Sequence, residues 1–231
     1  MDSKAILFFG IPGAGKGTQA DLLARKKRWI HFDTGPYLKD ILYSPESTKD
    51  PVLQEQKRIW DAGQLNDPSW VLSETAQFAQ RMATCKQSII FSGSPRTLFE
   101  AWGDTNHEGL IDLLVRSYQK DTVHFFFLDL PPTHGGTRNS TRRLCSSCKL
   151  IILSNKETAP LTHCVTCGAD LVTRTILDAP EKYRERLSQF KERTEPVIHK
   201  LQELDFIVHT IMANKEPWRI HQEVCDVIDA K

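Results

Sequence analysis

The sequence lacks the features that mark several classes of protein. No apolar run approaches the ~20 residues that a membrane-spanning helix needs. The two signs of charge balance, with 30 Lys and Arg against 29 Asp and Glu and a formal net charge of +1. Nothing therefore favours a nucleic-acid surface or an acidic tail, and there is no internal repeat. We expect a cytoplasmic monomer without a signal peptide, a membrane contact or a nucleic-acid partner.

Cysteine is also scarce, and its spacing is informative. Four of the six cysteines form two C-x-x-C pairs, Cys145/Cys148 and Cys164/Cys167, with fifteen residues between the pairs. This spacing is typical of a structural zinc site, and Gly168 can provide the tight turn after the second pair. In a reducing compartment, four thiolates around zinc are favoured over two disulfides. The alternative is that the four cysteines bind no metal.

The distribution of apolar residues predicts an α/β fold. Apolar runs typical of buried strands alternate with segments of helical periodicity, which is the pattern of a doubly wound parallel sheet. Strands are predicted at 5–11, 30–33, 88–92, 123–130 and 206–211. Helices are predicted at 18–28, 37–42, 52–62, 70–83, 180–204 and 217–228. Residues 131–177 break the alternation and contain the cysteine pairs.

A glycine-rich loop, residues 10–18, follows the first predicted strand and leads into a predicted helix. Small residues let consecutive backbone N–H groups converge on an anion, and the positive end of the helix faces the same point. Lys16 would contact the terminal phosphates of a nucleotide. The loop departs from the general P-loop pattern because Gly17 stands where Ser or Thr follows the lysine. We expect a bound nucleotide and a fold of the P-loop NTPase type; the alternative is a structural turn.

Five further segments, in order along the chain, resemble those of the adenylate kinase family of nucleoside monophosphate kinases. Residues 33–39 are similar to S-T-G-D-x-L-R, 62–67 to G-x-L-V-P-D and 92–97 to D-G-F-P-R-T. Arg138, Arg142 and Arg143, followed by a cysteine, resemble the start of that family's mobile lid domain, the LID. Arg174 and Arg186 resemble its last arginine pair. The resemblance covers nearly the whole chain.

The resemblance implies a reaction and a domain division. The reaction is reversible phosphoryl transfer from ATP to a nucleoside monophosphate, with AMP the expected acceptor and Mg²⁺ accompanying ATP. The alternatives are GMP or a pyrimidine monophosphate as acceptor, or a nucleotide-binding protein with weakened catalysis. The implied domains are a core of residues 1–33, 68–137 and 178–231, an acceptor-binding subdomain of 34–67, and a zinc-binding LID of 138–177.

The resemblance also implies roles for individual residues. The catalytic cations are Lys16, Arg96, Arg142, Arg174 and Arg186. ATP is bound by Gly13, Ala14, Gly15, Lys16, Gly17, Thr18, Arg138 and Arg142. The monophosphate is bound by Thr34, Gly35, Lys39, Gln64, Leu65, Asn66, Gly93, Ser94, Arg96, Glu100, Arg174 and Arg186. Such a set of cations suits phosphoryl transfer, which depends on positioning and on neutralising charge.

Two departures from the family pattern concern magnesium. Pro36 and Ser92 stand where the family has carboxylates that help to hold the metal and its waters. Their loss removes negative charge that a hard cation favours. Asp33, Asp67 and Asp129 are three alternative carboxylates that could compensate.

Other departures concern the acceptor. Lys39 replaces an arginine, which keeps the charge but loses the bidentate geometry. Glu100 replaces a glutamine that contacts the base, and an exposed, ionised carboxylate can only accept hydrogen bonds, which suits guanine better than adenine. Ser94 replaces a phenylalanine of the pocket wall. Gly135 and Gly136 are expected to weaken the helix that leads into the LID.

Overall fold

The computed structural model describes residues 3–173 and 179–230. Within these ranges the strands are β1 (Ala5–Phe9), β2 (Ile30–Phe32), β3 (Ile89–Phe91), β4 (Val123–Asp129), β5 (Arg143–Cys145), β6 (Ile151–Ile152), β7 (Leu171–Thr173) and β8 (Val208–Met212). The helices are α1 (Lys16–Lys27), α2 (Thr34–Leu42), α3 (Pro51–Asp61), α4 (Pro68–Thr84), α5 (Leu98–Trp102), α6 (Leu110–Tyr118), α7 (Pro132–Thr141), α8 (Pro180–Gln189), α9 (Glu195–Glu203) and α10 (Pro217–Asp229).

A five-stranded parallel sheet forms the centre of the molecule. Its strand order is β2-β3-β1-β4-β8, and every neighbouring pair is parallel. Ala5 of the central strand β1 lies opposite Ile89 on one side and Val123 on the other. All five residues of β1 are buried, as expected for a strand covered by helices on both faces. The predicted doubly wound α/β fold is confirmed, and the carboxyl ends of its strands meet at one edge.

Two insertions depart from the strand–helix alternation. Residues 34–67 fold as α2 and α3, joined by a short 3₁₀ helix at Pro45–Thr48. The cysteine-rich segment contains a small antiparallel sheet of order β6-β5-β7. The single helix predicted at 180–204 is divided into α8 and α9 by a π turn at Phe190–Thr194. Helices α5 and α6 were not predicted. The five residues of α5 carry little periodic signal, whereas α6 has apolar residues at helical spacing along its buried face, a pattern that the prediction missed.

Helix α7 forms despite its two glycines, and the close surroundings of Gly135 require a glycine at that position. A Cβ atom at Gly135 would lie 2.6 Å from the Tyr183 hydroxyl and 2.8 Å from the carbonyl oxygen of Pro12. A Cβ atom at Gly13 would lie 2.6 Å from the Gly135 carbonyl oxygen. The glycine-rich loop therefore packs directly on the backbone of α7. The low helix propensity of glycine is outweighed by this close packing of the loop and the helix.

None of the helices in the described ranges has the length and apolar character that crossing a membrane requires.

Candidate functional site

The glycine-rich loop connects β1 to α1 and is shaped by glycines in the left-handed region. Gly13 has φ +87° and Gly15 has φ +95°, conformations that residues with a Cβ atom adopt only with strain. Gly15 precedes α1, and no side chain caps the first turn of that helix. The backbone N–H groups of the loop and of this uncapped first turn, together with the helix dipole, are suited to binding an anion.

Lys16 is the first residue of α1 and lies against the loop. Its Nζ donates to the carbonyl oxygens of Gly10 at 2.7 Å and Ile11 at 3.1 Å. Burial lowers the pKa of Lys16 to about 7, and the charges of Arg96, Arg186 and Arg142 lower it further, while Asp33 opposes them. Loss of solvation and neighbouring positive charge both disfavour an ammonium group. A phosphate placed among these cations would restore the charged lysine.

A cavity lies beside this loop, between the main sheet and the 34–67 insertion. It is lined by Thr34, Gly35, Leu38, Trp60, Gln64, Leu65, Asn66, Val71, Gly93, Ser94, Arg96 and Glu100. Most of the residues predicted to bind the monophosphate are therefore brought together in one place. The Thr34 hydroxyl donates to the Ser94 hydroxyl at 3.1 Å, which joins the insertion to the loop after β3. We refer to this cavity as the acceptor pocket.

Arg96 belongs both to the acceptor pocket and to the surroundings of the glycine-rich loop, which we also call the phosphate loop. It lines the pocket, and its charge acts on Lys16. Its Nε donates to the Gly93 carbonyl oxygen at 2.7 Å, and its own carbonyl oxygen accepts from the Thr194 hydroxyl at 3.0 Å. These contacts hold the arginine where the two sites meet.

Glu100 is buried, which corrects the expectation of an exposed, ionised carboxylate. Its Oε2 accepts from the Arg96 backbone N–H at 2.8 Å, and its Oε1 accepts from the Thr97 hydroxyl at 3.3 Å. Thr97 in turn accepts from the Glu100 backbone N–H at 3.1 Å. Thr97 is thus the N-cap of α5, and the Glu100 carboxyl group bonds back to the Thr97 side chain and to the backbone of the residue before it. Burial raises the pKa of Glu100 to about 7, against the lowering effect of Arg96.

The three alternative carboxylates have different surroundings. Asp67 caps α4, where it accepts from the backbone N–H groups of Ser69 at 2.9 Å and Trp70 at 3.2 Å. Asp129 is the last residue of β4. The Asp33 carboxylate lies 4.0 Å from the position of a Cβ atom at Gly17, and its charge acts on Lys16. Asp33 is thus the one of the three with a direct relation to the phosphate loop.

Ser92 participates in a hydrogen-bonded chain that the sequence did not predict. Nε2 of His31 lies 2.8 Å from the Ser92 hydroxyl, and Nδ1 lies 2.7 Å from Oδ1 of Asp21. His31 is in β2, Ser92 follows β3, and Asp21 is on α1. The carboxylate missing at position 92 is replaced by a hydroxyl connected through an imidazole to another carboxylate. No local sequence signal relates these three residues, because the pairing of β2 with β3 and the packing of α1 against β2 bring them together.

The remaining predicted cations have different positions. Lys39 is exposed and lies 5.9 Å from the centre of the Tyr43 ring, outside the lining of the acceptor pocket. Arg138 is half-buried on α7, and burial lowers the pKa of its guanidinium group. Arg142 and Arg186 are close enough to Lys16 for their charges to act on it. Arg174 lies outside the residues that the structure describes.

The four cysteines of the C-x-x-C pairs form one cluster. Their Sγ atoms all lie within 4.8 Å of one another, with 3.3 Å between Cys145 and Cys167 and 3.7 Å between Cys148 and Cys164. A tetrahedral zinc with bonds of ~2.3 Å needs sulfur atoms about 3.8 Å apart. The arrangement is compatible with zinc, and Cys145 and Cys164 are its buried members.

The backbone around these cysteines is folded as two matching turns. The Cys148 N–H donates to the Cys145 sulfur at 3.3 Å, and the Thr166 N–H donates to the Cys164 sulfur at 3.4 Å. Gly168 follows the second pair with φ +73°, as a tight turn requires, and Lys149 follows the first with φ +60°. Donors aimed at the sulfur atoms stabilise thiolates, the form that binds metal.

Comparisons with known proteins agree with this geometry. A family model described as an AAA domain matches residues 9–135. The adenylate kinase of Petrotoga mobilis is 33% identical over 197 residues, which cover 84% of this chain and 83% of that protein. The adenylate kinase of Clostridium tetani is 30% identical over 227 residues, covering 97% and 98% of the two chains. The chain therefore belongs to the adenylate kinase family of phosphotransferases.

Proposed function

We propose that this protein transfers a phosphoryl group reversibly from ATP to a nucleoside monophosphate, with AMP as the acceptor. The relatives that resemble it over most of its length are named adenylate kinases. The observation that carries the proposal is the position of Arg96. A single arginine lines the acceptor pocket and also adds its charge to the surroundings of Lys16. A phosphate donor on the loop and an acceptor in the pocket would meet at this side chain.

The cations at this place suit the chemistry of the reaction. Phosphoryl transfer spreads negative charge over the oxygens of the transferred group and needs in-line placement more than covalent help from the protein. In the proposed site, Lys16, Arg142 and Arg186 neutralise the donor phosphates, and Arg96 holds the acceptor phosphate beside them. Preorganised charges of this kind stabilise the transition state more than the bound substrates.

Water must be excluded, because it competes with the acceptor for the phosphoryl group. We propose that residues 138–177 act as a closing LID and residues 34–67 as an acceptor-binding subdomain on a core of 1–33, 68–137 and 178–231. Within the described residues 143–173, only Cys145, Ile152 and Cys164 are buried, so a zinc bound by the cysteine cluster would supply the rigidity of this small sheet. Such a metal is structural, since four protein sulfurs leave no open position for a water.

The residues beside the loop also fit a magnesium ion brought in with ATP. Asp33 would supply the carboxylate, and Thr18, in the first turn of α1, would supply a neutral hydroxyl oxygen. Magnesium neutralises charge on the β- and γ-phosphates of ATP. In this proposal Asp33 replaces the carboxylates missing at Pro36 and Ser92.

Two alternatives have specific observations in their favour. GMP as acceptor is favoured by the carboxylate of Glu100, which would accept from both donors on the guanine edge. A nucleotide-binding protein with weakened catalysis is favoured by the missing carboxylates at Pro36 and Ser92.

The monomeric state and the cytoplasmic location stay predictions.

A steady-state assay separates these possibilities. ATP is supplied with each of AMP, GMP, CMP and UMP, with and without magnesium, and diphosphate formation is followed. We expect turnover with AMP that requires magnesium and falls by orders of magnitude in Lys16→Met and Arg96→Ala, since one preorganised charge contributes ~3 kcal/mol. Turnover with a pyrimidine monophosphate alone would contradict AMP as acceptor. ATP binding without any turnover would favour the nucleotide-binding alternative.

A further inference from the structure

The buried carboxyl group of Glu100 belongs to a residue that lines the acceptor pocket. Its residue is 4% exposed, and it lines the pocket together with the apolar side chains of Leu38, Leu65 and Val71. A flat base that packs on these apolar groups has only its polar edge left to satisfy. Glu100 is the one carboxyl group in the lining of this pocket.

The hydrogen bonds of Glu100 fix the carboxyl group without saturating it. One oxygen accepts from the Arg96 N–H at 2.8 Å and the other from the Thr97 hydroxyl at 3.3 Å. Each carboxyl oxygen has two lone pairs, so each oxygen keeps one for a ligand. Because these two hydrogen bonds hold its position, the group meets a base with a defined geometry in both protonation states.

The protonation state of Glu100 is balanced between opposing effects. Burial raises the pKa to about 7, while the charges of Arg96 and of Arg193, in the π turn before α9, lower it. The Thr97 hydroxyl also favours the ionised form by donating to it. The carboxyl group therefore changes its charge in the neutral pH range.

Charged groups on the other helices packed against α5 have partners of their own. Asp112 on α6 interacts with Lys200 on α9, and the Lys200 ammonium lies 4.9 Å from the centre of the Trp102 ring. On α4, Glu74 accepts from the Tyr37 hydroxyl at 3.2 Å. Arg96 and Arg193 are thus the charges that act directly on Glu100.

We propose that Glu100 selects the acceptor base by its own protonation, admitting adenine when neutral and guanine when ionised. A neutral carboxyl group donates its O–H to adenine N1 and accepts from the 6-amino group, as an amide would. An ionised carboxylate accepts from guanine N1–H and the 2-amino group, and it faces the N1 lone pair of adenine unfavourably. The inference rests on the proposed function, since it assigns the specificity of that acceptor pocket.

The test compares the wild type with Glu100→Gln between pH 6 and pH 8.5. The amide keeps one donor and one acceptor at every pH, so the variant serves as the non-titrating control. We expect the wild-type to variant ratio of kcat/KM for AMP to fall about tenfold or more over this range, because the protonated fraction falls tenfold per pH unit above the pKa. Titration of the AMP phosphate and of Lys16 changes kcat/KM in both proteins alike, so it cancels in this ratio. The affinity of the wild type for GMP relative to AMP, measured by calorimetry, is expected to rise over the same range.

Each outcome decides a separate question. A ratio for AMP that stays constant with pH would overturn the inference and leave the kinase proposal standing. If neither monophosphate is phosphorylated at any pH, the proposed function fails, and the calorimetric AMP affinities of the two proteins still test the role of Glu100. Melting temperatures of both proteins over the pH range show whether the variant remains folded. A pH-dependent affinity ratio in both proteins alike would also contradict the inference.

Discussion

At the scale of single residues, the site is governed by groups whose charge depends on their surroundings. Lys16 and Glu100 lie on either side of Arg96, and burial moves the pKa of each to about 7 from opposite directions. Desolvation disfavours the charged form of both. A bound nucleotide brings negative charge to the lysine and a polar edge to the carboxyl group. We therefore expect the binding of substrates and the binding of protons to be coupled at these two residues.

Lys16 is expected to take up a proton when ATP binds. In the free protein its pKa of about 7 leaves part of the population neutral at pH 7.5, and phosphate oxygens beside it raise that pKa again. ATP affinity should consequently increase as the pH falls towards 7, and this gain should level off below about pH 6, where the lysine is already charged. Calorimetry of MgATP binding in buffers of different ionisation enthalpy measures the uptake. Equal uptake in the wild type and in Lys16→Met would show that the proton goes elsewhere.

Asp33 is expected to be the carboxylate that supports magnesium. Removing its charge in Asp33→Asn should weaken Mn²⁺ binding to the ATP complex by about tenfold, roughly the effect of 1.4 kcal/mol. Asp40→Asn, an exposed aspartate on the neighbouring helix α2, is the matched control. Electron paramagnetic resonance of Mn²⁺ measures free metal without relying on turnover. Unchanged Mn²⁺ affinity in Asp33→Asn would exclude this role and direct attention to the Asp21–His31–Ser92 chain.

At the scale of elements, contacts between backbones hold the phosphate loop in place. The loop rests on α7 through Gly13 and Gly135, where neither residue has space for a Cβ atom. The Tyr183 hydroxyl, from α8, donates to the Pro132 carbonyl oxygen at 2.6 Å and closes the same contact. Because α7 leads into the cysteine-rich insertion, the loop and that insertion share this helix as a support.

Gly135→Ala should destabilise the protein, whereas Gly136→Ala should not do so to the same degree. The new methyl group at 135 would meet two oxygens within 2.8 Å, and overpacking of this kind costs about 1–3 kcal/mol. At 136 the nearest atom, Cε1 of Tyr183, is 3.3 Å away, and alanine gains up to about 1 kcal/mol of helix propensity. Urea unfolding of the two variants measures the difference. If both variants have equal free energies of unfolding, the loop does not depend on this close contact.

At the scale of the whole molecule, a parallel sheet carries the glycine-rich loop, and two insertions interrupt its alternation of strands and helices. The insertion of residues 34–67 forms one wall of the acceptor pocket through Thr34, Leu38 and Gln64. The cysteine cluster lies in the other insertion, where Cys145, Ile152 and Cys164 are the buried residues within the described range 143–173. A bound metal there would contribute stability to the LID without taking part in the chemistry.

The purified protein should contain about one zinc per chain, and Cys148→Ser should lose it. Loss of one thiolate removes a quarter of the ligand set, so the melting temperature should fall while ATP still binds at the loop. Cys85→Ser is the control, since Cys85 is an exposed cysteine outside the cluster. Elemental analysis and thermal melting measure both effects. Metal-free wild-type protein with four free thiols in the cluster would contradict this assignment.

The sequence was sufficient for features that depend on local patterns. The glycine-rich loop needs particular residues in a fixed order, and strands buried on both faces need apolar runs, so both were predictable from adjacent residues. The cysteine spacing similarly anticipated the sulfur cluster. Features that depend on distant residues were not predictable. Burial of Glu100 by the surrounding helices raised its pKa above that of an exposed carboxyl group, and the Asp21–His31–Ser92 chain forms only when β2 pairs with β3 and α1 packs beside them.

The most direct test of the central claim follows the fate of the transferred phosphate. The protein is given ATP labelled in its γ-phosphate together with unlabelled AMP and magnesium. If the loop and the acceptor pocket meet at Arg96 as one site, the label appears in ADP, two ADP form per ATP consumed, and almost no free phosphate is released. Label found in free phosphate, or ATP consumption that is independent of AMP, would contradict the account.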